Sequence, residues 1–294
     1  MHDKFLQCLA NRYLTIRAQY PGEGRRKWHL RVLQEFWESV LHNETNALRS
    51  NLSPDDDFTQ DDDPFDHLLE GQELGILLRT DYSNEDAWQS FCTRLQSAES
   101  ELAEAVKKPE TGNDTNDTDL SVQSQPEDSD SDRESLDGVP FPIIKVVDPS
   151  PQERTVFHNI SNLSALRLLN DVDIRPAPNP PAGESRIRTP NRLIDQGTWQ
   201  EIYSGMNLWI YDAQSNTDQC VKLVGQEGDI YGTATGDSWR VQGPHICDLQ
   251  FKMSFLGMTI NFGGLDRWDY GERRRNLEEA NQNIGNNIIA TSSR

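Results

Sequence analysis

The stretch HICDLQFKMSFLGMTINFGG, residues 245–264, decides how the C-terminal half of the chain is interpreted. Its apolar side chains alternate with polar ones in two phases: Leu249, Phe251, Met253 and Phe255 are odd-numbered, and Met258, Ile260 and Phe262 are even-numbered. A period of two predicts a β-strand. A change of phase predicts either a β-bulge at Leu256-Gly257, where glycine tolerates a positive φ, or a tight turn between two strands. We favour the bulge, and long bent strands are typical of curled sheets and barrels.

The chain around this stretch is rich in short β-type runs separated by turn residues. Six runs read as strands: Ile143–Val147, Thr155–His158, Leu208–Tyr211, Val221–Val224, Asp229–Thr233 and Ser238–Val241. Residues 175–192 contain too many prolines for a strand or helix and predict a long loop, whereas 271–284 predict one polar helix. Residues 139–294 are therefore predicted to form a mainly antiparallel β domain, curled or barrel-like, with a terminal helix.

The N-terminal residues show helical periodicity instead. Apolar side chains recur at spacings of three and four over residues 3–20 and again over 25–49, and Pro21-Gly22 separates the two segments. The pattern predicts a helical hairpin with a wide apolar stripe that contains Trp28, Phe36 and Trp37. The adjacent cluster of Arg25, Arg26 and Lys27 is interpreted as solvated helix surface.

An acidic middle separates the two halves. The whole chain has a net charge of −20, and residues 53–72 contain two triplets of aspartate, which we interpret as a solvated loop because the register of a calcium-binding EF-hand fails. Residues 107–138 have almost no apolar side chains and predict a disordered linker. The predicted organisation is a helical module over 1–106, a linker over 107–138 and a β-rich domain over 139–294, which together make an α+β protein.

Residues 74–95 combine a short apolar strand, over 74–78, with a helix that Ser83 is expected to cap, with Asp86 three residues later. This stretch resembles an element of predicted proteins from filamentous fungi. The shared pattern is an apolar residue before LRTDYS, followed by acidic residues, Ala-Trp and Phe. No activity is established for those proteins, so the resemblance implies a fungal source and no mechanism.

Motifs of the common enzyme classes are absent from the sequence. There is no phosphate-binding glycine loop, nucleophile elbow or zinc-protease helix, and the four cysteines form no C-x-x-C pair. His245 and Cys247 supply too few ligands for a metal site, and a reactive thiolate is not favoured beside Asp248. We therefore expect no metal and no cofactor, and a non-catalytic role is favoured over an enzyme.

Charge and hydropathy restrict the partners. A net charge of −20 disfavours binding to nucleic acid, and no apolar run approaches the roughly 18 residues of a membrane span. The N-terminal residues do not resemble a signal peptide, because Asp3, Arg12 and Arg17 interrupt the apolar pattern. An intracellular protein, cytoplasmic or nuclear, is the expectation.

Two classes of function follow. The first is an interaction or scaffold protein that binds a protein partner, or a second copy of the chain, through Trp28, Phe36 and Trp37. The alternative is a small-molecule binder or metal-free enzyme, for example of fungal secondary metabolism, with an aromatic pocket. Its candidate residues are Trp209, Tyr211, Trp239 and His245. Whether the β domain folds back and covers the helices stays open at this point.

Overall fold

A computed structural model describes residues 2–41, 61–71, 73–107, 142–179, 190–226, 235–260 and 269–284. The helices of these residues are α1 (His2–Gln19), α2 (Arg25–Leu41), α3 (Asp66–Leu69), α4 (Glu85–Lys107), α5 (Arg154–Phe157), α6 (Asn162–Leu169), α7 (Ser215–Asp218), α8 (Ile246–Phe255) and α9 (Tyr270–Asn281). The strands are β1 (Gly75–Arg79), β2 (Ile144–Val147), β3 (Asp171–Pro176), β4 (Trp199–Ser204), β5 (Asn207–Tyr211), β6 (Cys220–Gly225) and β7 (Asp237–Gln242). N-terminal helices, a sheet and a terminal helix confirm the predicted α+β class.

The main sheet is mixed and has the strand order β2-β1-β5-β6-β7. Strand β1 pairs in parallel with β2 and β5, whereas β5, β6 and β7 pair antiparallel to one another. All five residues of β1 are buried, as expected of a strand that is covered on both faces. Strands β3 and β4 form a separate antiparallel pair.

Strand β1 joins the two halves of the chain. The charge distribution assigned residues 75–79 to an N-terminal module, but the structure places them between β2 and β5, so both sides of the expected linker contribute to one sheet. Apart from Lys107, which ends α4, the predicted linker of residues 107–138 lies outside the described residues, as does the predicted strand over 229–233.

Each face of the main sheet carries its own core. Ile76, Leu78 and Leu208 point into a core shared with α1, α2, α6 and the β3–β4 pair. Leu77 and Trp209, from alternate positions, point into a second core beneath α4 and α8. This is the period of two that a sheet buried on both faces requires. The helices α1 and α2 are therefore covered by the rest of the chain. Of the two arrangements left open by the sequence, this is the one in which the chain folds back on the helices.

The second aspartate triplet stabilises the start of α2 and is not a solvated loop. The Asp63 carboxylate accepts a hydrogen bond from the backbone N–H of Arg26 at 2.9 Å and lies 3.0 Å from its guanidinium. Arg25, Arg26 and Lys27 are buried, which corrects their interpretation as solvated helix surface. Basic side chains at a helix N-terminus oppose the helix dipole, and the nearby carboxylates of Asp63 and Asp66 offset this. An added Cβ at Gly24 would come within 2.5 Å of Asp63, so this approach requires glycine.

Residues 246–255 form helix α8, so the predicted bulged strand is wrong. A period of two also contains the i, i+4 spacing of a helix, which here brings the rings of Phe251 and Phe255 to 4.9 Å. Gly243-Pro244 begins the turn that leads into the helix, as proline does at helix starts. Gly257 has a φ of +63°, and it follows Leu256, the C-cap of α8, as a left-handed terminating residue. The bent strand that predicted a curled or barrel-like sheet is absent from residues 245–260.

We expect Gly257→Ala to lower the free energy of unfolding by about 1 kcal/mol, because an L-residue is strained at this positive φ. An added Cβ meets nothing within 4 Å at Gly257, so backbone strain is the only cost. The matched control is Gly22→Ala, which also meets nothing but has no positive φ. Urea denaturation of both variants checks this, and equal stabilities would contradict the terminating role of Gly257.

Helix α9 confirms the predicted polar tail helix and caps α6. Glu272 and Asn276 accept the backbone N–H groups of Asn162 and Leu163 at 2.5 and 3.2 Å, and Glu279 accepts the hydroxyl of Ser161. These acceptors recur at spacings of three and four, so they share one face of α9. The α9 helix thereby supplies groups that satisfy the first amides of α6.

Two further local predictions are corrected. Residues 154–157 form the short helix α5 where a strand is predicted; the carbonyl of Ser150 accepts the amide of Arg154 and begins the turn. The cap of α4 is Asn84, whose side chain accepts the N–H of Ala87 at 3.0 Å, and not Ser83, whose hydroxyl donates to Asp81. Both segments contain serine, asparagine or aspartate side chains. Such side chains compete with one another for the same backbone groups.

Candidate functional site

The three aromatic residues predicted to bind a partner lie in the protein core. Trp28, Phe36 and Trp37 are 6%, 2% and 0% exposed. The rings of Phe36 and Phe5 pack with their centroids 5.4 Å apart. The indole N–H of Trp28 donates to the carbonyl of Tyr20 at 2.8 Å. Because α2 packs against α6 and β3, these side chains offer no exposed aromatic surface. An interface on the N-terminal helices through these three residues would need such a surface.

The four residues predicted to line an aromatic pocket lie in different environments. Trp209 and Tyr211 are fully buried in the core beneath α4, where Tyr211 packs edge-on against Trp88 at 4.8 Å. Trp239 is half-buried beside the same core, and His245 is exposed in the turn before α8. The aromatic residues thus fill the interior, as aromatic side chains commonly do.

Cys247 is a buried structural residue. Burial raises the pKa of its thiol to about 12, and Glu99 adds to the shift. A nucleophilic cysteine needs the opposite shift, and His245 lies exposed to solvent. Among the described residues, no group of three or more histidine, cysteine and acidic side chains is arranged to hold a metal ion.

A ligand crevice is expected at the carboxyl end of β1, because crevices of α/β sheets form where the connections after neighbouring strands diverge. Arg79 is fully buried there and donates to the carbonyl of Asp81 at 3.0 Å and to Asp148 at 3.2 Å. Asp81 in turn accepts from the backbone N–H of Ser83 at 3.0 Å and from Asn216 at 2.7 Å. These contacts join the segments that follow β1, β2 and β5, so residues 79–83 have a structural role here.

A cavity of about 450 Å³ lies at the other end of the strands, away from the carboxyl end of β1. It is bounded by the start of β5, the end of β6, strand β4 and the chain after α8. Residues of both cores meet in its walls: Leu166 and Val224 belong to one core, and Leu223 belongs to the other. A volume of this size lies within the range of ligand pockets in proteins.

The apolar wall of the cavity is made by long, half-buried side chains. They are Ile202, Met206, Met253, Met258 and Ile260. Three of the four methionines of the chain are in this set, although they come from separate segments. Methionine is flexible and polarisable, and surfaces that bind apolar partners of variable shape use it often.

Two glycines shape this wall. Gly205 lies in the turn between β4 and β5, and an added Cβ there would come within 2.6 Å of the Asn170 side chain. Asn170, which follows α6, can therefore close over the turn only because the residue is glycine. Gly257 directs the chain out of α8 so that Met258 and Ile260 line the cavity.

The polar side of the cavity includes Arg175 and Gln226. A guanidinium N–H of Arg175 donates to the backbone carbonyl of Gln226 at 3.3 Å, and the Gln226 side chain accepts the N–H of Tyr203 at 2.5 Å. These bonds fix the end of β6 against the β3–β4 pair. Of the described residues that line the cavity, Arg175 is the only one with a full charge.

The wall behind Tyr203 contains a buried ionic cluster. Arg167, on α6, donates to Glu201 at 2.6 Å and to the hydroxyl of Tyr203 at 2.7 Å, both on β4. Burial alone would lower the pKa of the Arg167 guanidinium, but Tyr203 and Glu201 raise it above its ordinary value. The cation therefore stays charged and holds β4 against α6.

Sequence patterns did not identify the cavity. Its residues come from β3, β4, β5, β6, α6, α8 and the chain that connects them, and no pair of them forms a recognisable motif. The clustering of the methionines in the second half of the chain is the single available signal.

Comparison with known proteins leaves the family of the chain open. Neither the family models, nor the curated proteins, nor the solved structures contain a match to it. Within the described residues, no helix is both long and apolar enough to cross a membrane.

Proposed function

We propose that the protein binds a small, largely apolar molecule in the methionine-lined cavity. The observation that carries this proposal is the convergence of Met206, Met253 and Met258 on one space of about 450 Å³. This choice favours the small-molecule class of function over the interaction class, with different residues from the predicted aromatic pocket.

Packing arguments support a ligand. Protein interiors are filled nearly as densely as organic crystals, and apolar walls that face an unfilled space lose both contacts and burial. The five long apolar side chains of the cavity wall are only half-buried. An apolar ligand would cover them at about 25 cal/mol for each Å² removed from water.

A protein partner or a second copy of the chain remains a prediction. The aromatic side chains that motivated it are buried, so they no longer support it. The cavity offers a more specific hypothesis, because its volume and its lining restrict the size and the chemistry of what binds.

The test is a titration with N-phenyl-1-naphthylamine, a neutral apolar dye that fluoresces when it leaves water. We expect saturable binding of about one dye per chain, and Thr259→Trp should weaken it at least about tenfold, because Thr259 lies exposed in the cavity wall. The matched control is Thr217→Trp, at an exposed position of α7 away from the cavity.

Thermal melts of both variants confirm that each is folded before the dye is added. Absence of saturable binding in the wild type, or equal affinity in the two variants, would contradict the proposed function.

A further inference from the structure

We propose that the ligand has a neutral amide head, with an N–H donor beside the carbonyl, and that this head pairs with the side-chain amide of Asn170. The apolar body of the ligand lies against the methionines. Primary amides and lactams have such a head. This inference rests on the proposed function and names the class of molecule that the same cavity takes.

Asn170 places a buried amide in the wall of the cavity. The residue is 7% exposed, and its side chain makes no hydrogen bond with the residues that the structure describes. Its backbone N–H donates to the carbonyl of Leu166 at 2.8 Å, so it is the side chain that is left without a partner. Buried polar side chains are hydrogen-bonded in the large majority of cases, because an unmade bond costs the desolvation of the group. For a side chain that lines a cavity, a ligand in that cavity supplies the missing partner.

The backbone gives no other reason for asparagine at this position. Asparagine ends some helices in the left-handed conformation, but Asn170 follows α6 with a φ of −117°, an extended conformation that any residue adopts. Its Oδ1 would lie 2.6 Å from an added Cβ at Gly205, and Nδ2 lies farther from that turn. Gly205 therefore makes room for the amide. Neither the end of the helix nor the turn requires an amide here, which leaves the group available to a ligand.

The chemistry of the asparagine side chain selects the head of the ligand. Its carbonyl oxygen accepts and its NH₂ group donates, side by side. The complementary head has a donor beside an acceptor, and a primary amide satisfies both groups at once. A carboxylate has acceptors only and an ammonium has donors only, so each would satisfy one half of the asparagine amide.

Competition against the bound naphthylamine dye tests the inference with two compounds, octanamide and N,N-dimethyloctanamide. The second has no N–H donor and has two additional methyl groups. Apolar burial alone therefore favours N,N-dimethyloctanamide, so a preference for octanamide requires a hydrogen bond from the N–H of its head. We expect octanamide to displace the dye at a concentration about tenfold lower than N,N-dimethyloctanamide does.

Asn170→Leu keeps most of the side-chain volume and removes both the donor and the acceptor. The variant should still bind the dye, and N,N-dimethyloctanamide should then compete at least as well as octanamide. The matched control is Asn11→Leu, which removes an asparagine of α1 away from the cavity and should keep the preference. Thermal melts confirm that both variants are folded.

The outcomes separate the two proposals. Equal or weaker displacement by octanamide in the wild type overturns the amide head and leaves the apolar cavity intact, and this comparison needs no variant. A preference that survives in folded Asn170→Leu overturns the role of Asn170. Failure of the wild type to bind the dye overturns the proposed function itself.

Discussion

Arg167→Ala is expected to lower the free energy of unfolding by about 3–5 kcal/mol, because it leaves the carboxylate of Glu201 buried without its cation. Arg167 and Glu201 are 2% and 0% exposed at their side chains, and their closest charged atoms lie 2.6 Å apart. One Glu201 oxygen, Oε2, already lacks a hydrogen-bond partner, so the loss of Arg167 would leave this carboxylate with the Tyr203 hydroxyl alone. Urea denaturation, followed by circular dichroism, measures the effect.

The matched control is Arg12→Ala. Arg12 and Glu35 also approach to 2.6 Å, but their side chains are 40% and 38% exposed. An exposed pair is worth about 1 kcal/mol or less, since water solvates both charges when they separate. The closest approach is equal in the two pairs, whereas their burial differs strongly.

A double variant separates burial from pairing. Arg167→Met combined with Glu201→Leu removes both charges and keeps apolar volume, so it should be more stable than Arg167→Ala. If Arg167→Ala costs no more than Arg12→Ala, water reaches Glu201 and the cluster is not the rigid wall of the cavity described above.

The parts of the fold that the sequence predicted are those that local patterns determine. Helices α1, α2 and α4 follow from apolar spacings of three and four, and strands β5 and β6 follow from short apolar runs between turns. The positive φ expected at Gly257 is also present, although it ends a helix and does not form a bulge. A glycine of this kind serves both structures, so the residue predicted the conformation but not the element.

Contacts between distant residues explain the remaining errors. In the sequence, Arg25 and Arg26 have the pattern of a solvated surface. In the fold, Asp63, Asp66 and Asp171 lie beside them. Trp37 resembles interface until the rest of the chain covers α2. The identity of these residues is compatible with both environments, and tertiary structure decides between them.

The cavity is the strongest case of the same limit. Met206, Met253 and Met258 are separated by up to 52 positions and belong to no common motif. They meet because the start of β5 lies beside the end of β6, and because Gly257 turns the chain after α8. Apolar residues of a core and of a ligand site have the same sequence signature, and their exposure to a cavity distinguishes them.

Cleavage of the chain between residues 109 and 138 is expected to leave one folded particle. The prediction from charge and composition was two separable modules, but β1 pairs with β2 through four residues and with β5 through five. Leu77 and Leu78 lie on opposite faces of the sheet and are both fully buried. An N-terminal piece that carried β1 away would expose both cores to water, at a cost that exceeds the few kcal/mol by which domains are stable.

Expressed separately, residues 1–108 and 139–294 should therefore each lack a cooperative thermal transition. The first piece has a strand without a sheet, and the second has a sheet without its interior strand. Mixed together, they should co-elute as one complex and regain a single transition. Substitution of Leu77 by Asp in the N-terminal piece should abolish that recovery, whereas Asp62→Ala, at an exposed side chain, should preserve it. Two pieces that fold alone and do not associate would show that β1 is dispensable to the sheet and that the chain is modular after all.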